Sequence, residues 1–266
     1  MLRSVALVLA CAPPRARVYV CVCVCRHTPL FTCLDLAASN WTTLAPLPLA
    51  LSGHTVVSDT VRLYVTGGLT DIGIGAGVFA GKCVAYDIAR DCWHERASPG
   101  VARVGHSAVM CADGRRMLVT GGSTGSMPIA TPQLYDTVAN TWHDATPSSL
   151  KRRRSGALLI DGFVYVMGGE TWDAATDEWL PTREVERYDP IADSWSPGPW
   201  KLPERVSWFS VHRAGDHLMV AGGARLVNGD IVPNPQVHQL TLSMRTWRTI
   251  QAPDSLSVST KSSAYC

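Results

Sequence analysis

The chain has 266 residues and a mass of 28.7 kDa, enough to bury a substantial core, so a peptide or mini-protein is excluded. Apolar residues make up 46% and charged residues only 17%, which excludes a disordered chain or a helical bundle studded with Lys and Glu and points to a β-rich fold. The formal charge of +2 is too small to argue for a nucleic-acid or membrane partner, and it is set by the first 34 residues, whose Arg3, Arg15, Arg17 and Arg26 meet no acid.

Residues 1–30 read as an atypical leader. The apolar stretch 5–12 is far short of the roughly 20 residues a membrane helix needs, and Pro13 directly after Ala10-Cys11-Ala12 argues against signal cleavage. Residues 18–25 alternate Val or Tyr with Cys21, Cys23 and Cys25, which would place the three thiols on one face of a strand. Alternating Val and Cys is also what a guanine–thymine dinucleotide repeat encodes. Two readings therefore stand: a translated simple repeat in a faulty gene model, or an N-terminal strand of the fold. Cys83, Cys92, Cys111 and Cys266 lack zinc-site spacing, and nine unevenly placed cysteines do not make a disulfide framework. A reduced, cytoplasmic protein without metal or cofactor is expected.

From residue 31 the chain is built of repeats. Glycine pairs end short apolar runs at Leu63-Tyr-Val-Thr-Gly67-Gly68, Met117-Leu-Val-Thr-Gly121-Gly122, Val164-Tyr-Val-Met-Gly168-Gly169 and Leu218-Met-Val-Ala-Gly222-Gly223. After each comes a segment of variable length, then an aromatic or leucine with a tryptophan seven residues on: Tyr86 and Trp93, Tyr135 and Trp142, Tyr188 and Trp195, Leu240 and Trp247. Leu34 and Trp41 repeat the step, and successive tryptophans lie 52, 49, 53 and 52 residues apart. One further β-patterned segment between each tryptophan and the next glycine pair makes four strands per unit. Such small sheets bury their faces by stacking on one another around an axis, with the tryptophans filling the wedge between them. Asp87, Asp136 and Asp189 are placed to satisfy turns.

The Gly-Gly, Tyr and Trp signature resembles the kelch repeat, in four complete copies and one partial copy. The resemblance implies an all-β fold, a kelch-type β-propeller of four complete four-stranded blades plus one partial or composite blade, over residues 31–266. The segments Arg187-Tyr-Asp-Pro-Ile-Ala-Asp-Ser-Trp195 and Phe163-Val-Tyr-Val-Met-Gly-Gly-Glu170 look most like the propellers of kelch-like proteins. Those carry BTB and BACK domains and serve cullin-RING ubiquitin ligases as substrate adaptors. Neither domain is found here, so the chain is expected to be the substrate-reading part of such an adaptor, or a truncated gene model of one. The alternative is a stand-alone kelch scaffold that binds, for instance, the cytoskeleton. Ring closure is expected to join residues 257–266, as a first strand, to strands from residues 16–25 and beyond.

Partner-reading residues are expected at the end of the propeller carrying the second-to-third-strand segments 69–83, 123–132, 170–184 and 224–236. Trp172 and Trp179 lie in one of these, outside the blade pattern, as contact anchors or as pins holding the segment to its blade. Arg103, Arg154 and Arg205 recur at 51-residue steps, which would gather three guanidiniums at the channel mouth to grip an acidic peptide, with Lys151, Arg152 and Arg153 extending the patch. The bland reading is that each arginine forms a salt bridge within its own blade. No HExxH or phosphate loop is present, and an enzyme is not expected. Some kelch propellers are copper oxidases, but no Tyr/His ligand set can be assembled, and His54 and His106, at one repeat position, read as satisfied core residues.

Overall fold

In the computed structural model the described residues are 4–12, 15–24, 28–35, 38–70, 78–125 and 127–250, with side chains from Leu30 onward. Each repeat forms an antiparallel sheet whose strands follow chain order from the axis outward. The first blade contains Thr55–Ser58, Arg62–Thr66, Cys83–Asp87 and Cys92–Arg96. The second contains Val104–Met110, Arg116–Thr124, Gln133–Asp136 and Thr141–Asp144. In the third stand Gly156–Ile160, Phe163–Met167, Val185–Asp189 and Ser194–Pro197. Ser210–Ala214, His217–Ala221, Val237–Thr241 and Thr246–Ile250 make the fourth. First strands of successive blades neighbour one another, which is the arrangement of a β-propeller.

A further four-stranded sheet is formed by Ser4–Ala12, Arg15–Val24, Thr28–Asp35 and Asn40–Thr43, its first strand beside that of the first blade. Residues 257–266, to which ring closure assigned a strand, lie outside the described residues. No helix among the described residues is long and apolar enough to cross a membrane.

The repeat signature is the packing between blades. Tyr86, Tyr135 and Tyr188 sit directly across from Trp93, Trp142 and Trp195, with ring centroids 5.1, 4.7 and 4.9 Å apart. Each indole N–H donates to a carbonyl of the preceding sheet: Trp93 to Ala45 at 2.9 Å, Trp142 to Ala97 at 2.7 Å, Trp195 to Thr146 at 2.8 Å. Asp91, Asn140 and Asp193, all in left-handed backbone, close the clasp. Each accepts the tyrosine hydroxyl at 2.7 Å and the N–H of that same preceding-sheet residue. Asp87, Asp136 and Asp189 accept the next turn's N–H groups, as expected.

Two positions depart from the rule. In the fourth blade Leu240 and Arg245 replace the tyrosine and the acid, and the Trp247 indole nitrogen is buried without a partner. Trp200 stands edge-on to Trp247 at 6.2 Å and stacks on Tyr165 at 5.2 Å, so aromatic packing takes the place of the clasp. Trp41, expected to fill a wedge, is 55% exposed, because no described sheet precedes its own.

All eight signature glycines have φ between 56° and 96°. The first of the pair in the first three blades, Gly67, Gly121 and Gly168, also faces the next blade. A Cβ on Gly168 would lie 2.7 Å from the Phe209 ring and 2.8 Å from the Val206 carbonyl oxygen, whereas one on Gly222 would meet nothing within 4 Å. Gly168→Ala is expected to destabilise by about 3 kcal/mol or more through the added clash. Gly222→Ala should lose only the backbone term of roughly 1 kcal/mol. Equal denaturation midpoints for the two variants would show that φ alone sets the cost.

Candidate functional site

The segments after the glycine pairs are hairpins rather than irregular loops. Glu170–Asp173 pairs with Glu178–Pro181 and Ala224–Val227 with Asp230–Pro233. The second turns through Asn228-Gly229, both at positive φ, a dipeptide suited to a tight hairpin. Each hairpin continues into a short strand at the start of its own blade, Arg152–Arg153 or Val206–Ser207, so these hairpins and the links between blades share one end of the propeller.

The three arginines do not form a ring. Arg103 is 1% exposed, bonding the Gly121 carbonyl at 3.1 Å and Gln133 Oε1 at 3.0 Å. Its repeat equivalent is Arg152, equally buried, which bonds the Gly168 carbonyl at 3.0 Å and Glu186 Oε2 at 2.9 Å. Leu51 and Val206 hold the same place in the first and fourth blades. Burial lowers the Arg103 pKa to about 10 and lowers that of Arg152, against the pull of Glu186. Both arginines hold their own blade together, Arg103 through carbonyls and a neutral amide and not through a salt bridge.

Arg154 lies two residues past that place and Arg205 one before it, so the 51-residue step joined unlike positions. Arg154 bonds both oxygens of Glu170 at 3.1 and 2.9 Å, and Arg153 reaches Glu170 Oε2 at 2.8 Å. Ser207 donates to the same carboxylate at 3.2 Å. Glu170, 2% exposed, thus binds the third blade's hairpin to the links on either side of it. The Arg153 guanidinium covers the Trp179 ring at 4.1 Å, and Trp179 meets Trp172 edge-on at 5.4 Å. Arg153 thereby covers Trp179, and Trp172, half-buried beside it, lines a cavity.

Beside Trp172 is an open cavity of about 430 Å³, lined also by Asp173, Leu180, Arg183, Glu184 and Arg205. Arg183 and Arg205 are exposed and form no ion pair among the described residues. The Glu184 charge is met by Lys201 at 2.7 Å, and Asp173 Oδ1 caps its own turn through the Ala175 N–H. The cavity therefore presents two unspent guanidiniums beside an indole. Arg205 and Trp172 are legible in the sequence, whereas Arg183 and Glu170 are not, since neither falls on the repeat pattern.

His54 and His106 are buried at equivalent positions next to the glycine pairs, where burial holds them neutral, lowered to about 4 and about 3. Among the described residues no three His, Cys, Asp or Glu side chains cluster as metal ligands would.

A family model described as the KLHDC2/KLHL20/DRC7 Kelch-repeats domain matches residues 53–265. Among curated relatives, kelch-like protein 36 of Mus musculus is 31% identical over 180 residues, 65% of this chain and 27% of that protein. Kelch-like protein 34 of Homo sapiens is 27% identical over 175 residues, 64% of this chain and 26% of that protein. The chain spans about a quarter of the length of these relatives. A solved structure described as that of YjhT aligns with a TM-score of 0.71 at 12% identity, covering 93% of this chain and 84% of that one, a likeness of fold.

Proposed function

Since the chain belongs to the kelch-repeat family, whose members are mostly non-enzymatic protein-interaction modules, we propose that this propeller reads substrates for a kelch-like ubiquitin-ligase adaptor. Its ligand is a short acidic segment of a protein partner, held in the cavity beside the third blade's hairpin. The unpaired Arg183 and Arg205 carry this reading, because a guanidinium pairs bidentately with a carboxylate and nothing described in the cavity already satisfies these two. The buried free thiols Cys83 and Cys111 suit the reducing cytoplasm in which such an adaptor would work.

The test is selection of random peptides on the immobilised chain. Asp- and Glu-rich peptides are expected to enrich, and Arg183→Glu with Arg205→Glu should weaken a selected peptide by about tenfold or more. Joined to a BTB–BACK segment, the propeller should speed ubiquitin transfer to a protein carrying that peptide. A chain that selects no acidic peptide and instead sediments with actin filaments would belong to the scaffold class.

A further inference from the structure

Two residues past the buried start of each blade, the backbone turns left-handed, at Gly53, Gly105, Arg154 and Trp208, with φ of 65°, 64°, 57° and 60°. These residues are strung together along the axis: Gly105 N–H donates to Gly53 O at 3.4 Å, Arg154 N–H to Gly105 O at 2.6 Å, and Trp208 N–H to Arg154 O at 3.1 Å. Glycine adopts this conformation freely, whereas a bulky side chain is strained in it. Trp208 is held there with 56% of its surface exposed. It takes no part in the apolar cluster between the third and fourth blades, which its neighbour Phe209 joins. Strain kept at an exposed aromatic residue is the kind of outlier found at ligand clamps.

Its surroundings say what it would meet. The Arg154 guanidinium lies 3.9 Å from the indole centroid and is anchored from behind by Glu170, which fixes the ring. Arg205 is three residues earlier in the same link, within about 10 Å even for an extended chain. Arg183 and Arg205 bring two positive charges with no ion-pair partner among the described residues, whereas the Arg154 charge is met by Glu170, so beside them a cationic ligand group is disfavoured and an uncharged ring flanked by acids is favoured.

We propose that Trp208 is an aromatic platform at the channel mouth, and that the partner's acidic segment carries an aromatic side chain that stacks on it. This rests on the reading of the cavity as an acidic-peptide site, and the two can fail separately.

The same random-peptide selection, run on the full chain and on its Trp208→Gly variant, separates them. Glycine suits the backbone at this place in two other blades, so the variant keeps the fold. On the unaltered chain, selected peptides should carry Asp or Glu together with one Phe, Tyr or Trp at constant spacing. On Trp208→Gly the acids should persist and the aromatic preference vanish. A synthetic peptide of the selected sequence should bind the variant about tenfold more weakly, and replacing its aromatic residue by Ala should cost nothing further there. Acidic peptides without an aromatic on the unaltered chain, or unchanged selection on the variant, would overturn the platform and leave the cavity reading intact. Absence of acidic enrichment on the unaltered chain would remove both.

Discussion

Glu186→Val is expected to destabilise the propeller by about 3–5 kcal/mol, because it strands a guanidinium inside the third blade. The Arg152 and Glu186 side chains are 2% and 6% exposed and meet at 2.9 Å. Glu186 also accepts the hydroxyls of Ser148 at 2.7 Å and Ser149 at 2.6 Å and the Ser149 N–H at 3.2 Å, so its loss takes an acceptor from four donors. Carbonyls of Gly168 and Glu184 still receive Arg152 Nη1, but they carry no charge to offset the cation.

The chain itself contains the control. At these two positions the first blade has Leu51 and Val84, both buried, and the second has Arg103 with the neutral Gln133. An apolar pair therefore fits the same architecture. The double variant Arg152→Leu with Glu186→Val should recover most of the lost stability, to within about 1–2 kcal/mol of the unaltered chain, the remainder being the orphaned serines. Urea midpoints of the two single variants and the double variant give the coupling energy. A cost under about 1 kcal/mol for Glu186→Val, or a double variant no better than the single, would show that the pair is not what holds this blade's inner edge.

The same comparison shows what could be read in advance. The Tyr–Trp step, the glycine pairs and the turn aspartates are legible because each answers a local demand of backbone or wedge that recurs in every blade. Register at the blade starts is not, because the link preceding it varies. Trp41, Trp93 and Trp142 are each ten residues before Leu51, Arg103 and Arg152, but Trp195 is eleven before Val206. Aligning by residue type joined Arg103 to Arg154 and Arg205. Aligning by glycine would not have repaired this, because the third blade's glycine is Gly156, two residues past the left-handed place that Gly53, Gly105, Arg154 and Trp208 share. Arg183 and Glu170 had no landmark in the repeat, since a cavity between a hairpin and a neighbouring link is a property of assembled blades. The Asn228-Gly229 dipeptide, by contrast, is a hairpin signal legible within the segment 224–236.

Acidification should unfold the molecule through its inner edge before its surface carboxylates respond. His54 has Nδ1 3.2 Å from the Leu51 carbonyl oxygen, and His106 has Nε2 2.7 Å from the Thr55 hydroxyl across the blade boundary. The second nitrogen of each ring is buried without a partner. Burial is the main cause that holds both pKa values down, and for His106 the charges of Arg103 and His54 add to it. The unfolded chain takes up a proton on each ring near pH 6.5, while the folded chain refuses it until about pH 4 for His54 and about pH 3 for His106. Stability from the neutral rings is therefore complete above pH 6.5 and falls as pH drops through that window, on the order of 3 kcal/mol for each ring by pH 4. Asp113 and Asp193, whose pKa values are lowered below the ordinary carboxylate range, lose their contribution only at still lower pH. Serine occupies the equivalent place in the third blade as Ser155, so His54→Ser and His106→Ser are compatible with the fold. Thermal unfolding followed at intervals from pH 7 to pH 4 should show a steep fall for the unaltered chain and a shallow one for the double variant, whatever their relative stability at pH 7. Parallel curves would place the acid sensitivity elsewhere in the molecule.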